Sequence, residues 1–241
     1  MRTVAAIMIG VSIVGAIADR AVATNGDAAS SEERRWYVSG IVGGSFMTLT
    51  SGGENTIASV PNTGTATGGA FTGGGAIGIA MPVEGGRWRA EVEGRQRGKL
   101  AGQTDFIGDP FFYDVQAEDG WSVTANLWRD VSITNHVDLY AGGGIGGGGY
   151  RLSVDDQVFS GGYDRIGEFA WQAGGGIVWN PNRRLAIDLG YRFFAVGTGS
   201  TPLTAPIFGG SAGVYTSSLS ASELVLTFRI YEPFAALRAR R

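Results

Sequence analysis

The stretch RWRAEVEGRQRG, residues 87–98, decides the fold of this chain. Every odd position in it carries a charged side chain, and every even position carries an apolar, small or amide residue. Because successive side chains of a strand point to opposite faces, this alternation predicts a β-strand with one charged face and one largely apolar face. In a soluble sandwich the charged face would meet water. In a membrane barrel it would line the interior, and the apolar face would meet lipid.

Seven further segments alternate in the same way, so that eight strands are predicted: 35–49, 69–82, 87–98, 120–131, 137–152, 167–179, 184–196 and 218–231. Three connections are short (83–86, 132–136 and 180–183), and four are long (50–68, 99–119, 153–166 and 197–217). Short turns at one end and long connections at the other are typical of membrane barrels. The sequence therefore predicts an all-β fold, an eight-stranded antiparallel up-and-down transmembrane β-barrel with short periplasmic turns and four long extracellular loops.

The N-terminus predicts export. Arg2 precedes an apolar run, and the triplet AVA at 21–23 offers a cleavage site, as in a secretory signal peptide. We predict a signal peptide at 1–23, a polar leader at 24–34, the barrel at 35–234 and a basic C-terminal tail at 235–241. The predicted location is the bacterial outer membrane. Cysteine is absent, and a net charge of -3 offers no basic footprint for nucleic acid.

The two strand faces predict an interior and a lipid side. Buried charges need partners, so we predict a lumen charge network formed by Arg89, Glu91, Glu93, Arg95, Asp188, Arg192, Glu223 and Arg229. Aromatic rings prefer headgroup depth, so we predict interface anchors at Trp36, Trp88, Trp179, Trp121 and Phe169. The pair Trp128 and Arg129 falls on the wrong faces for a regular strand, which predicts a bulge or an early strand end there.

At this point the chain resembles the small eight-stranded outer-membrane barrels, namely OmpA-like transmembrane domains and opacity-type porin-family proteins. The resemblance covers residues 35–234. It rests on the export signal, the eight alternating segments, the glycine strand AGGGIGGG at 141–148 and the last strand LVLTFRIYEPF at 224–234. It implies embedding in the outer-membrane lipid bilayer and insertion by the outer-membrane assembly machinery. Members usually end on an aromatic residue, whereas this chain continues with AALRARR.

Three other sequence patterns do not predict a binding or catalytic site. The glycine pattern at 73–78 matches G-x-G-x-x-G, but a nucleotide site needs a helix to begin there, and a strand continues. His136 falls in a short turn, away from the long loops where a serine hydrolase would need its base. Acidic residues in the loops lack the spacing of a calcium loop. We therefore predict no enzymatic activity, no cofactor and no metal.

Four aromatic residues in the second long loop are a candidate contact patch for an unknown extracellular partner, or a cap over the barrel mouth: Phe106, Phe111, Phe112 and Tyr113. An eight-stranded barrel is filled by its own side chains, so a wide pore is not expected. We predict a structural or surface-display role, in envelope integrity or in adhesion through the loops. The alternatives are a narrow ion-conducting, porin-like channel and a soluble secreted ligand-binding β-barrel.

Overall fold

The computed structural model describes residues 35–55, 60–105, 112–155, 161–205 and 210–233. The predicted signal peptide, leader and basic tail lie outside these residues. The strands are β1 (Arg35–Asn55), β2 (Val60–Val83), β3 (Gly86–Arg97), β4 (Leu100–Asp105), β5 (Phe112–Ser132), β6 (Val137–Asp155), β7 (Gly161–Asn182), β8 (Leu185–Val196), β9 (Gly199–Ala205) and β10 (Gly210–Tyr231). None of the described residues forms a helix that could cross a membrane.

The strands close into an antiparallel ring, which confirms the predicted eight-stranded barrel. The order is β1-β2-β3-β5-β6-β7-β8-β10. Strand β10 also pairs with β1, starting at Tyr37↔Tyr231, and this pairing closes the ring. The short strands β4 and β9 continue β3 and β8 after two-residue breaks at 98–99 and 197–198. At each break a backbone N–H group still donates a hydrogen bond to a neighbouring strand. Gly98 donates to Phe71 O of β2 and Gly197 donates to Phe169 O of β7, each at 2.9 Å.

One end of the ring carries the three tight connections and is called the turn end. Gly85 and Gly86 reverse the chain between β2 and β3 with positive φ angles of 72° and 149°, which favour glycine. Residues 133–136 join β5 to β6, and residues 183–184 join β7 to β8 after a bulge between Trp179 and Asn182. The third reversal therefore lies slightly later than the predicted 180–183.

The opposite, hairpin end differs from the sequence prediction in its local structure. The segments expected to be loops are mostly strand, because the ladder continues to Asn55↔Val60 on β1–β2 and to Asp155↔Gly161 on β6–β7. These segments are rich in Ser, Thr and Gly, a composition that predicts loops. Threonine is β-branched, however, and suits an extended backbone. The described parts of the four long connections are thus paired strands that extend the barrel beyond the predicted strands.

Towards the hairpin end the ring splits into two sheets. Strand β2 pairs with β3 only as far as Thr72↔Arg97, and β4 pairs with β5. Strand β7 pairs with β8 only as far as Ala170↔Val196, and it meets β9 at Gly161↔Thr204 alone. In this region β2, β1, β10 and β9 form a first sheet, and β4, β5, β6 and β7 form a second sheet. The two sheets pack face to face as a β-sandwich on top of the barrel.

Small residues line the two seams of this sandwich. A Cβ atom at Gly64 of β2 would lie 2.5 Å from Thr104 Cβ of β4. At the other seam, a Cβ atom at Gly199 of β9 would lie 2.4 Å from Ile166 Cγ2 of β7. The inner surfaces of the sheets therefore converge more closely than side chains would allow, and glycine permits this approach.

A bulge in β5 sets which residues of that strand face inward. The register shifts between Glu118 and Trp121, and Asp119 takes a φ of 52°. Residues with odd numbers face inward above the bulge, and those with even numbers face inward below it. The predicted bulge or strand end at Trp128 is wrong, because β5 runs regularly to Ser132 and Trp128 lies fully buried in the interior.

Candidate functional site

The interior of the barrel near the turn end holds a cluster of ion pairs. Arg89 makes a two-pronged contact with Asp130, from Nε at 2.9 Å to both carboxylate oxygens and from Nη2 at 2.8 Å. Asp188 forms a short ion pair with Arg229, and its carboxylate lies 3.9 Å from Arg89 Nη1. Because β3, β5, β8 and β10 supply these groups, the cluster ties opposite walls of the ring together.

Arg87 closes the turn end of this cluster. It lies 3.3 Å from Asp130 and forms a short contact with Asp138, which also accepts a bond of 2.9 Å from Asn180. Its Nη1 donates to the Tyr231 hydroxyl at 3.2 Å. The Arg87 side chain is partly exposed, so this layer is where the interior charges meet solvent.

A second group of ion pairs lies at the middle of the barrel. Glu223 forms ion pairs with Arg95 at 2.7 Å and with Arg97 at 2.8 Å, and it accepts a hydrogen bond of 3.2 Å from the Ser45 hydroxyl. Arg192 forms a short contact with Glu93. All of these charged side chains are almost completely buried. Burial of charge is tolerated only when partners replace water, and the close geometry here supplies them.

Glu91 is held differently, by neutral donors. The Tyr37 hydroxyl and the Trp128 indole N–H each donate to its carboxylate at 2.7 Å, and Asn126 donates at 3.3 Å. Trp128 therefore has a polar role inside the barrel, which explains why a large aromatic residue occupies the charged face. Its ring also packs edge-on against Tyr140 at 5.7 Å between centroids.

Inward-facing glycines make room for these large side chains. A Cβ atom at Gly190 would lie 1.9 Å from the Tyr140 hydroxyl oxygen, and one at Gly144 would lie 1.9 Å from Asn126 Oδ1. The high glycine content of β6 thus has a packing reason, because bulky groups on one strand need a neighbour without a side chain.

The structure places all eight residues of the predicted charge network in the interior. The predicted network leaves out four partners, namely Arg87, Arg97, Asp130 and Asp138. The two arginines share the odd-numbered face of the stretch at 87–98, so the alternation itself could have found them. Asp130 was hidden by the irregularity expected at Trp128. With these four added, the described interior carries six arginines and six carboxylates, and its formal charge is balanced.

The interior of the sandwich is apolar instead. Seventeen buried residues form one cluster there, and it includes Leu49, Leu100, Leu152, Phe194 and Leu203. The Arg97 guanidinium lies 3.7 Å from the centroid of the Phe194 ring, where the charged and apolar layers meet. The interior thus holds ion pairs below and a mainly apolar cluster above, in which the hydroxyl pairs Thr104–Tyr215 and Tyr150–Ser217 are also buried. The mainly polar lumen expected from the sequence holds only for the lower part.

The two outer faces of the sandwich differ in chemistry. On the first sheet, the segments 48–52, 64–69, 200–204 and 214–220 contain no charged residue. Their outward side chains are mainly hydroxyls, and we call this surface the hydroxyl face: Thr48, Thr50, Thr65, Thr67, Ser200, Thr204, Thr216, Ser218 and Ser220. The second sheet presents a charged face with Lys99, Glu118, Arg151 and Arg165. A hydrogen bond from Lys99 lowers the pKa of Glu118.

The outer wall of the barrel is apolar, as a lipid-facing surface requires. Large exposed side chains include Ile77, Val92, Leu127, Ile177 and Leu189. Of the predicted interface anchors, Trp88 and Trp179 are exposed towards the turn end and Trp121 and Phe169 towards the sandwich, and Trp36 is half-buried. The rings thus stand at both edges of the apolar wall.

The predicted aromatic contact patch is not a loop tip where it can be described. Phe112 and Tyr113 belong to β5, and their backbones pair with Asp105 and Thr104. Phe106 and Phe111 lie outside the described residues. His136 is exposed in the turn between β5 and β6. The described residues contain no group of three or more histidine, cysteine or acidic side chains that could hold a metal ion.

Comparison with known proteins agrees with this architecture. A family model described as "Outer membrane protein beta-barrel domain" matches residues 15–222. No curated protein matches the sequence.

Similar solved structures include Neisserial surface protein A (16% identity, 83% of this chain and 99% of that chain, TM-score 0.43). They also include Ail, the attachment invasion locus protein of Yersinia pestis (14%, 78% and 97%, TM-score 0.35). A third is the outer membrane protease OmpT of Escherichia coli (8%, 85% and 99%, TM-score 0.41).

Proposed function

This chain belongs to the outer membrane β-barrel protein family and lies in the bacterial outer membrane, and from that premise we propose that it is a closed barrel with an adhesive role. It holds a rigid β-sandwich above the membrane and presents the hydroxyl face to a neutral polysaccharide. It neither conducts ions through an open lumen nor catalyses a reaction. The proposal extends the predicted surface-display role by assigning it to one surface.

The observation that supports display over conduction is the filled interior. Eleven of the twelve interior charged groups form ion pairs in the lower barrel, Glu91 is held by neutral donors, and the apolar cluster occupies the space above them. An ion would have to separate the pairs around Glu223 and Asp188 and then cross a mainly apolar layer. Transfer of a charge into such a layer is strongly unfavourable. A narrow channel is therefore the less favoured function.

The hydroxyl face supports the choice of a neutral, hydroxyl-rich partner. Each serine or threonine hydroxyl can donate one hydrogen bond and accept others, as sugar hydroxyls do. Outward residues recur about every 6.8 Å along a strand, and neighbouring strands lie about 4.8 Å apart, so the face presents an ordered grid. Without charge, binding to it should change little with ionic strength.

Cells that display the protein provide the test. We expect them to attach to dextran-coated beads more than cells that carry an empty vector, with little change on addition of salt. The double variant Thr65→Lys with Ser218→Lys flanks Thr50 on the hydroxyl face and should abolish the gain. The double variant Ala101→Lys with Ser153→Lys is its matched control, because these positions flank Gln116 on the charged face.

Folding and surface display must be equal for all variants, as measured by heat-dependent gel mobility and by surface labelling. Attachment no better than the empty vector, or equal losses in both double variants, would contradict the adhesive role. A steady conductance of the purified protein in planar bilayers would contradict the closed lumen and favour the channel.

A further inference from the structure

Two arginines face each other on the charged face of the sandwich. Arg151 of β6 and Arg165 of β7 are direct partners in the antiparallel ladder, and both side chains point outward. Like charges placed directly opposite on neighbouring strands destabilise a sheet. A ligand of negative charge between them would turn this repulsion into attraction.

The two arginines form the rim of a pocket. This pocket has a volume of about 310 Å³, and the other residues that line it are Gln96, Asp119, Trp121, Tyr150 and Ile166. The Trp121 ring is exposed beside the two arginines, whereas the side chains of Tyr150 and Ile166 face the sandwich interior, so an exposed apolar ring and two cations adjoin the pocket. Such a site suits an amphipathic ligand that has an anionic group next to hydrocarbon.

The nearby charges leave a cation available. Arg151 Nη2 lies 3.0 Å from Asp119, and Lys99 lies 2.8 Å from Glu118. The Asp164 carboxylate accepts a bond of 2.7 Å from the backbone N–H of Arg165. The guanidinium of Arg165 makes no ion pair with any residue that the structure describes, and it is exposed beside the pocket. It is therefore the group best placed to receive an anion.

The height of the pocket identifies the source of the anion. Trp121, which lines it, pairs with Gly149, so Arg151 stands about 7 Å further from the membrane. Phe169 lies four positions below Arg165 on β7 and is exposed on the apolar wall. Lipid chains along these two rings would bring their headgroups to the level of the arginines. Arginine binds phosphate well, because its N–H groups match the phosphate oxygens.

We propose that this pocket binds the phosphate of an outer-leaflet lipid, whose acyl chains lie against Trp121 and Phe169. Arg165 makes the main contact, and Arg151 is held in place by Asp119. The site lies on the charged face, so it does not depend on the adhesive role of the hydroxyl face.

Retention of lipid in phosphatidylcholine nanodiscs, counted by native mass spectrometry, tests the site. The probe is bisphosphorylated lipid A, compared with the same lipid after removal of its phosphates. We expect the full-length protein to retain the phosphorylated form selectively. Arg165→Gln should weaken retention about tenfold, because a hydrogen bond to a charged group contributes about 1.5 kcal/mol or more. Arg183→Gln, an exposed arginine in a turn at the other end, should leave retention unchanged.

Three results would overturn the proposal. Equal retention of both lipid forms would show that the phosphate is not recognised. Equal behaviour of Arg165→Gln and Arg183→Gln, with both proteins folded by gel mobility, would show that the arginine pair is not the site. Full displacement of the lipid by inorganic phosphate would assign the pocket to a free anion, because a bound lipid also has its acyl contacts.

Discussion

Replacement of Glu223 by alanine tests whether the interior is a dry, paired plug. The Glu223 side chain is 0% exposed and receives Arg95, Arg97 and Ser45 at 2.7, 2.8 and 3.2 Å. Its removal leaves two guanidinium groups close together without their shared carboxylate. Loss of one partner of a buried ion pair costs about 3–5 kcal/mol, so we expect the free energy of unfolding to fall by that amount.

The measurement is urea unfolding of the protein in phosphatidylcholine vesicles, followed by tryptophan fluorescence and by gel mobility. Leu224→Ala is the matched control, because the next residue along β10 is exposed on the lipid side and its truncation should cost only about 1 kcal/mol. If Glu223→Ala cost no more than Leu224→Ala, water would be solvating Arg95 and Arg97, and the lumen would not be closed.

Three further changes probe other parts of the molecule. Leu189→Arg places a charge on the lipid-facing wall and should cost about 2–4 kcal/mol in the same urea assay; a neutral result would mean that Leu189 does not face lipid. Gly190→Ala should cost about 1–3 kcal/mol, because a methyl there would lie 1.9 Å from a buried tyrosine oxygen. A Cβ atom at Gly94 would have no atom within 4 Å, so Gly94→Ala should be tolerated. Equal losses of stability in Gly190→Ala and Gly94→Ala would show that Gly190 is not needed to make room for Tyr140. The hydrogen bond from Lys99 lowers the pKa of Glu118, so side-chain carboxyl NMR should show Glu118 titrating below its ordinary value, and Lys99→Met should restore that value. Because the pKa of Glu118 is lower in the folded protein than in the unfolded chain, any stability from this bond is present at neutral pH. It disappears as the pH falls through the folded-state pKa of Glu118.

The lower half of the barrel could be predicted from the sequence almost residue by residue. A strand with a period of two leaves only the choice of which face is inside, and the stretch at 87–98 has a purely charged face. Trp128 is the exception, because a tryptophan on the charged face predicts a bulge or an early strand end that β5 does not have. Its indole N–H instead finds Glu91, and the missing side chain of Gly142 on the neighbouring strand provides the space for its ring.

The sandwich could not be predicted in the same way. Its strands alternate, but the bulge at Asp119 and the breaks at 98–99 and 197–198 shift which residues face inward. The buried apolar side chains therefore form one continuous cluster in space, although their alternation along the sequence is interrupted at these three places. The abundance of Ser, Thr and Gly then resembles loop composition, although most of the described backbone in these segments is paired as strand.

The sequence by itself determined a closed eight-stranded wall, because the alternation, the even number of segments and the sorted connections each follow from local properties. Only the tertiary structure decided which charges pair and where hydrocarbon replaces them. Ser45 and Glu223 meet although they lie 178 positions apart. Arg151 and Arg165 become neighbours only through the register of β6 with β7. The physical reason is that strand registers and bulges set these contacts, and both depend on the closure of the whole ring.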